Sequence, residues 1–164
     1  MASPRSAARK IVSLHTLVRI VRRSNARGRT VVFTNGCFDL LHAGHVKLLE
    51  RARRSGDLLI LGINSDRSVR ALKGPARPIV EQRDRALLLA ALESVDYVTI
   101  FDEPTPQRLV ARLAPDVLIK GADWGPAEIV GRDVVRRRGG RIIRFPLLKG
   151  YSTTGLIERI KRTR

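Results

Sequence analysis

The chain has 164 residues, 43% of them hydrophobic and only 4% aromatic, enough for one domain built around an aliphatic core. No apolar run reaches the length of a membrane span. The single cysteine, Cys37, excludes an internal disulfide and a cysteine-based zinc site, which fits the reducing cytoplasm. The formal charge is +17, with 26 of the 32 basic residues arginine, yet zinc-finger spacing, an RNP-like aromatic strand and heptads beside a basic region are all missing; a basic nucleic-acid-binding module is therefore a secondary reading, and nucleic acid is not expected as the primary partner.

Residues 1–9 are small, polar and basic, and read as a flexible tail ahead of one domain over 10–164. Ile11, Leu14, Leu17, Val18 and Val21 then recur at helical spacing and predict a helix over 11–27, ending before Gly28. The core, 29–164, is punctuated by five short apolar runs: "TVVFT" (30–34), "DLLILGI" (57–63), "DYVTIF" (96–101), "DVLIK" (116–120) and "RIIRF" (141–145). They are continuous rather than alternating, as strands covered on both faces are. Each gap exceeds a dozen residues, room for a helical crossover. Helices are expected over 44–55, from Thr105-Pro106 to Pro115, over 127–138 and over 153–162. The expected fold is α/β: a Rossmann-like, doubly wound, parallel five-stranded sheet with helices on both faces, in a single domain. The segment "RALLLAALES" (85–94) is apolar nearly all round, so its outer face is expected to meet a second subunit in a homodimer.

The chemistry concentrates in "FTNGCFDLLHAGH", residues 33–45, where the first strand gives way to a helix. Ligands of open α/β sheets bind beyond the carboxyl ends of the strands, and a helix N-terminus there offers free N–H groups and a positive dipole end to phosphate. Gly36 and Gly44 let backbone approach an anion closely. His42 and His45 would project toward the same phosphate. A histidine continuing the face of Leu48, Leu49 and Ala52 is ordinarily a core residue, and two histidines without a third ligand are weak evidence for zinc, so no metal ligands are assigned.

The run Gly36-Cys37-Phe38-Asp39 followed by His42-Ala43-Gly44-His45 resembles the signature of the cytidylyltransferase-like nucleotidyltransferase superfamily. Together with "KIVSL", "GINSDRSVRALKGPARPI", "DRALLLAALESVDYV", "PDVLIKGADW", "EIVGRDVV" and "GYSTTGLIERI", it is similar, over about residues 10–160, to the adenylyltransferase domain of heptose-phosphate kinase/adenylyltransferases. The resemblance implies an enzyme that transfers AMP from ATP to a sugar 1-phosphate, D-glycero-β-D-manno-heptose 1-phosphate, giving ADP-heptose and pyrophosphate. Mg²⁺ would accompany ATP. With no room here for a kinase, the sugar kinase of the pathway is expected as a separate protein.

It further implies that His42, His45 and Lys73 are catalytic. The nucleotide would be held by Phe33, Thr34, Asn35, Gly36, Cys37, Phe38, Asp39, Gly44, Arg85, Lys120, Gly121, Asp123, Trp124, Tyr151, Ser152, Thr153 and Thr154, and the ribose or acceptor by Asn64, Ser65 and Asp66. Lys73, Lys120 and Lys149 each precede a glycine in what reads as a loop. Gly121-Ala122-Asp123-Trp124 departs from the expected Gly-Gly-Asp-Tyr toward the glycerol-3-phosphate branch, which keeps a cytidylyltransferase for a polyol phosphate as the alternative.

Overall fold

The computed structural model describes residues 6–122, 125, 128–146 and 150–163. The chain runs α1 (Leu14–Asn25), β1 (Val31–Gly36), α2 (Ala43–Arg53), β2 (Leu58–Asn64), α3 (Asp66–Lys73), α4 (Gln82–Ala91), β3 (Tyr97–Phe101), α5 (Gln107–Leu113), β4 (Val117–Gly121), α6 (Arg132–Arg137), β5 (Arg141–Phe145) and α7 (Thr153–Arg162). The five strands form one parallel sheet in the order β3-β2-β1-β4-β5. The expected doubly wound α/β fold is what the chain adopts.

Successive strand residues point to opposite faces, and over β1, β2 and β4 both faces are dry, while the edge strand β5 keeps Arg141 and Arg144 exposed. Val32, Leu59, Leu61, Ile63 and Ile119 pack on one side with Leu49 and Ala52 of α2 and Ala86, Leu89 and Ala90 of α4. Val31, Phe33, Leu58, Ile60 and Leu118 pack on the other with Leu17 and Val21 of α1, Leu109, Val110 and Leu113 of α5 and Val135 of α6. Burying an aliphatic side chain contributes roughly 1.5–3 kcal/mol, so two such layers give most of the folding drive.

At the amino ends of the strands three aspartates bond sideways. Asp57 accepts the amide of Thr30, Asp96 that of Leu59 and Asp116 that of Val31, at 2.7–2.8 Å. At the carboxyl ends the sheet opens. β1 pairs with β2 as far as Gly36, but with β4 only over Val32–Thr34. The chain leaves β1 toward β2 on one side and returns through β4 on the other, so this gap is where strand order reverses, the usual seat of a ligand.

Several local expectations need correction. The helix predicted from residue 11 starts at Leu14, capped by the Ser13 hydroxyl, because residues 7–11 are otherwise engaged. Ala7–Lys10 form a 3₁₀ turn, Lys10 Nζ donates to the carbonyls of Leu92 and Val95, and Ile11 bridges to Val98. The chain is thus tied down before residue 9. Residues 66–73 form a helix, so the loop expected at Lys73 is a helix end. The Ser65 side chain caps its start, and Gly74, at φ 96°, ends it. Lys73 is therefore the last residue of α3, and Lys120 lies inside β4 and is buried.

Candidate active site

The site is built on the β1–α2 turn. Phe38 adopts a left-handed backbone, φ 47°, uncommon outside glycine. Its ring folds back over Gly36, where an added Cβ would lie 3.0 Å from Phe38 Cε2, so glycine is what leaves room for the ring. The same ring lies 5.0 Å from that of His45, which in turn stacks on His42 at 3.8 Å and 16°. Each imidazole faces the other, with Phe38 behind.

His42 is the N-cap residue of α2, without a side-chain capping bond, which leaves its ring free for another partner. The N-terminus of α7 arrives at the same place. A Cβ on Gly44 would come within 3.0 Å of His42 Nδ1 and 3.1 Å of Tyr151 Cβ, and the Tyr151 and His42 rings are 6.3 Å apart. Two helix amino ends, each with unpaired first-turn N–H groups, thus meet beside the histidine pair. At α7 the Ser152 hydroxyl accepts the amide of Gly155, so it is a cap; Thr153 and Thr154 follow in the first turn.

Four buried polar atoms lack a hydrogen-bond partner among the described residues: Thr34 Oγ1, Asn35 Oδ1, His42 Nδ1 and His45 Nδ1. Buried polar groups are nearly always paired in folded proteins, so four at one strand end mark a place built for something polar. Lys120 Nζ reaches from β4 across the gap to the Asn35 carbonyl, 3.1 Å, placing an ammonium on the floor. Lys73, exposed at the end of α3, is close enough for its charge to act on Cys37.

Titration follows from this packing. Burial, helped by the charge of His42, pushes His45 down to about 4, and burial lowers His42 as well, partly offset by its own backbone. Both rings are neutral near pH 7 in the absence of an anion. Burial raises the Cys37 thiol above its ordinary value despite Lys73, Arg85 and Arg77 nearby, which leaves it a protonated packing group and no nucleophile. Burial alone would raise Asp39, but the amides of Val80 and Ile79 and the Arg77 guanidinium outweigh it and hold the carboxyl below the usual carboxylate range.

Asp39 is 2% exposed and spends both oxygens on Arg77 Nε, Ile79 N and Val80 N. It pins segment 77–80 to the turn and faces no ligand. Arg77 was not among the expected residues; the signal was an aspartate in an apolar motif, which must find a cation when buried.

Arg85 and the expected acceptor trio bond largely within the scaffold. Arg85 is fully buried; it donates to the carbonyls of Val80, Cys37 and Asn64 and to the Asp66 carboxylate. Enclosed on all sides, it ties the β1 turn to the starts of α3 and α4. Asn64 bonds the Ser68 hydroxyl, Ser65 caps α3 and donates to Asp102, and Asp66 holds Arg85. Most of their polar atoms thus bond within the scaffold, leaving the second Asp66 oxygen as the one turned toward solvent. The Phe33 side chain is core, leaving only its backbone for the site. Gly121 ends β4 beside the gap, whereas Asp123, Trp124 and Lys149 lie outside the described residues.

A model of the cytidylyltransferase-like family matches residues 33–159. The chain is 56% identical over 148 residues to the bifunctional protein HldE of Syntrophotalea carbinolica, covering 90% of this chain and 30% of that one. It is 53% identical over 156 residues to the bifunctional protein HldE of Trichlorobacter lovleyi, covering 95% and 32%. It thus spans about a third of the length of these curated relatives. Among solved structures, the lipopolysaccharide core biosynthesis protein from Thermoplasma volcanium GSS1 superposes with a TM-score of 0.60 at 26% identity, over 76% of this chain and 100% of that one. A pantoate-beta-alanine ligase from Francisella tularensis shares the fold, with a TM-score of 0.60 at 17% identity, over 93% of this chain and 78% of that one.

Proposed function

Because the chain belongs to the cytidylyltransferase-like family, we propose that it is a nucleotidyltransferase that moves AMP from ATP to a sugar 1-phosphate, D-glycero-β-D-manno-heptose 1-phosphate, with release of pyrophosphate. The observation that carries this reading is the set of unpartnered polar atoms on Thr34, Asn35, His42 and His45 where two helix amino ends meet. A phosphate chain supplies acceptor oxygens for the Thr34 hydroxyl, the imidazoles and the helix-end N–H groups, and its charge suits both dipoles, while Asn35 Oδ1, an acceptor, suits a substrate hydroxyl. The 56% identity to a bifunctional protein HldE over nearly the whole chain supports the same reading.

In this mechanism a phosphate oxygen of the sugar attacks the α-phosphorus of ATP, the bond to the β-phosphate oxygen breaks, and pyrophosphate leaves. The protein's part is positioning and charge stabilisation. The backbone from Asn35 to Phe38 and the first turn of α2 cradle the α-phosphate. His42 and His45, neutral before binding, donate hydrogen bonds and take on positive character as negative charge gathers beside them. Lys73 reaches in from the rim, Lys120 lies below, and the α7 amino end with Tyr151, Thr153 and Thr154 receives the β- and γ-phosphates.

The side chains present fit a Mg²⁺ carried on the phosphates rather than one caged by protein. Asp39 is already spent on Arg77 and two amides, and no cluster of three or more His, Cys, Asp or Glu suited to a metal occurs among the described residues. When bound with ATP, the ion would neutralise charge on the pyrophosphate that leaves.

The outer face of α4 exposes Leu87 and Leu88, 46% and 49% accessible, and supports a homodimer through this helix. No helix among the described residues is long and apolar enough to cross a membrane; with a single cysteine in the chain, a cytoplasmic location is the simplest reading.

The test is pyrophosphate release across four nucleoside triphosphates against a panel of sugar and polyol phosphates. The expected optimum is ATP with the heptose 1-phosphate. Faster turnover with CTP and glycerol 3-phosphate would reassign the substrates, and no release with any acceptor would remove the transferase reading.

A further inference from the structure

The transfer proposed above uses only a few of the 32 basic residues, and some of the others line hollows far from the active site. Two hollows, of about 480 and 280 Å³, flank the carboxyl-terminal half of α1 at the amino ends of the strands, the end of the sheet remote from the active site. Arg23, Arg27 and Arg29 line the first, and Arg22, Arg112 and Arg138 the second. All six are exposed. None forms an ion pair among the described residues, although Arg53, Arg54, Arg67, Arg77, Arg85, Arg108 and Arg132 each do. The carboxylate lining these hollows, Asp96, is already bound to the Leu59 amide and Arg53.

Complementing helix dipoles accounts for part of this. Arg22 and Arg23 sit in the last turn of α1, Arg112 in that of α5, and Arg138 caps α6. Arg27 and Arg29 lie just beyond the C-cap of α1, Arg29 donating to the Asp57 carbonyl, and line the same hollow as Arg23. The six exposed guanidiniums outnumber the carboxylates of Asp57, Asp96 and Asp116 at this end of the sheet, and an external polyanion complements the excess positive charge.

We infer that this face binds the phosphate backbone of double-helical nucleic acid, without reading its sequence, while the opposite end carries out catalysis. Arginine rather than lysine suits repeated two-pronged contact with phosphate. Among the described residues the exposed large apolar side chains are Leu72, Ile79, Leu87, Leu88, Tyr151 and Ile160; none of them lines either hollow, and the aromatic that does, Tyr97, is half-buried. Among the described residues the face thus lacks the exposed apolar anchors that a membrane surface requires, and a single half-buried tyrosine provides no run of aromatic platforms for single-stranded bases.

The experiment measures fluorescence polarisation of labelled 20-base-pair DNA and RNA duplexes as the full chain is titrated in, from 50 to 200 mM salt. If six phosphates are contacted, the logarithmic salt slope is about −5 and affinity falls on the order of 10³-fold across that range. The variant Arg23→Gln/Arg27→Gln/Arg112→Gln/Arg138→Gln should bind at least 30-fold more weakly at low salt, with a slope smaller by about four. Its pyrophosphate release should be unchanged below the melting transition, and its melting temperature should fall by no more than a few degrees, the loss of three helix-end charges. A control with the same charge change elsewhere, Arg70→Gln/Arg83→Gln/Lys161→Gln/Arg162→Gln, should lose less than threefold. Equal losses in the two variants would overturn the assignment to this face. So would the absence of saturable binding at 50 mM salt, displacement of the duplex by ATP, or tighter binding to vesicles containing phosphatidylglycerol.

Discussion

Replacing Arg85 by methionine separates a nucleotide-binding arginine from a scaffold arginine. The substitution keeps most of the aliphatic stem and removes four donated bonds, leaving the carbonyls of Cys37, Val80 and Asn64 and the Asp66 carboxylate without their partner. Each unpaired buried acceptor costs about 1–3 kcal/mol, but Asp66 is 22% exposed and recovers some hydration, so the simple sum overshoots. Breaking one side of a buried ion pair costs roughly 3–5 kcal/mol, and that range is adopted here. For a chain of this length each kcal/mol moves Tm by about 2–4 °C, so a loss on the order of 10 °C is expected. The assay pairs a thermal melt with steady-state kinetics below the new transition. Tm should fall by about that amount while KM for ATP in the folded fraction stays within about twofold. A Tm within 2 °C of the parent, with KM for ATP raised tenfold or more, would refute the scaffold assignment and return Arg85 to the nucleotide.

Three further expectations follow from the same geometry. Gly44→Ala puts a methyl 3.0 Å from His42 Nδ1 and 3.1 Å from Tyr151 Cβ in a helix that favours alanine by about 1 kcal/mol; kcat should fall tenfold or more while Tm holds or rises, as kinetics and melting on one preparation will show. His45, held at about 4 when folded against 6.5 unfolded, binds fewer protons in the native state, so stability is full above pH 6.5 and drops by about 3 kcal/mol as pH falls toward 4. Urea denaturation between pH 4.5 and 7 should show this slope, and His45→Gln should flatten it. Asp39→Asn weakens the charge-assisted hold on Arg77 and on the Ile79 and Val80 amides; hydrogen exchange at those two amides should accelerate more than in β1 or β2.

The sheet was legible because five apolar runs of strand length leave few other folds open, and the β1–α2 turn because glycines, histidines and an aspartate interrupt it at motif spacing. The α3 helix was hidden for a physical reason. "SDRSVRALKG" has one buried apolar residue, Val69, and its Ser65 and Asp66 were read as ligand contacts when they are the cap and first turn of a helix. For Arg85 the sequence shows a charge near a motif but not how deeply it is enclosed. Phe38 and Tyr151 show the reverse case, since the motif named them and only coordinates reveal the contacts with His45 and His42.

The three aspartates at the amino ends of the strands bear on how this sheet finds its alignment. In a sheet with one wet face, slipping a strand by one residue exposes its apolar side chains and is heavily penalised. Here both faces are dry and "LLILGI" is apolar at every position, so a slipped β2 would bury nearly as much as the correct one. The information missing from the apolar pattern resides in the carboxylates. Asp57 addresses the start of β1, Asp96 the start of β2 and Asp116 the start of β1 from its other side. These three pairings spell out the neighbour relations β2-β1, β3-β2 and β4-β1. A one-residue shift would strand a carboxylate against hydrocarbon, so three polar residues act as alignment pegs for four greasy strands. By setting the strands at one end they also fix how far each extends at the other, where Asn35 of β1 and Lys120 of β4 must meet.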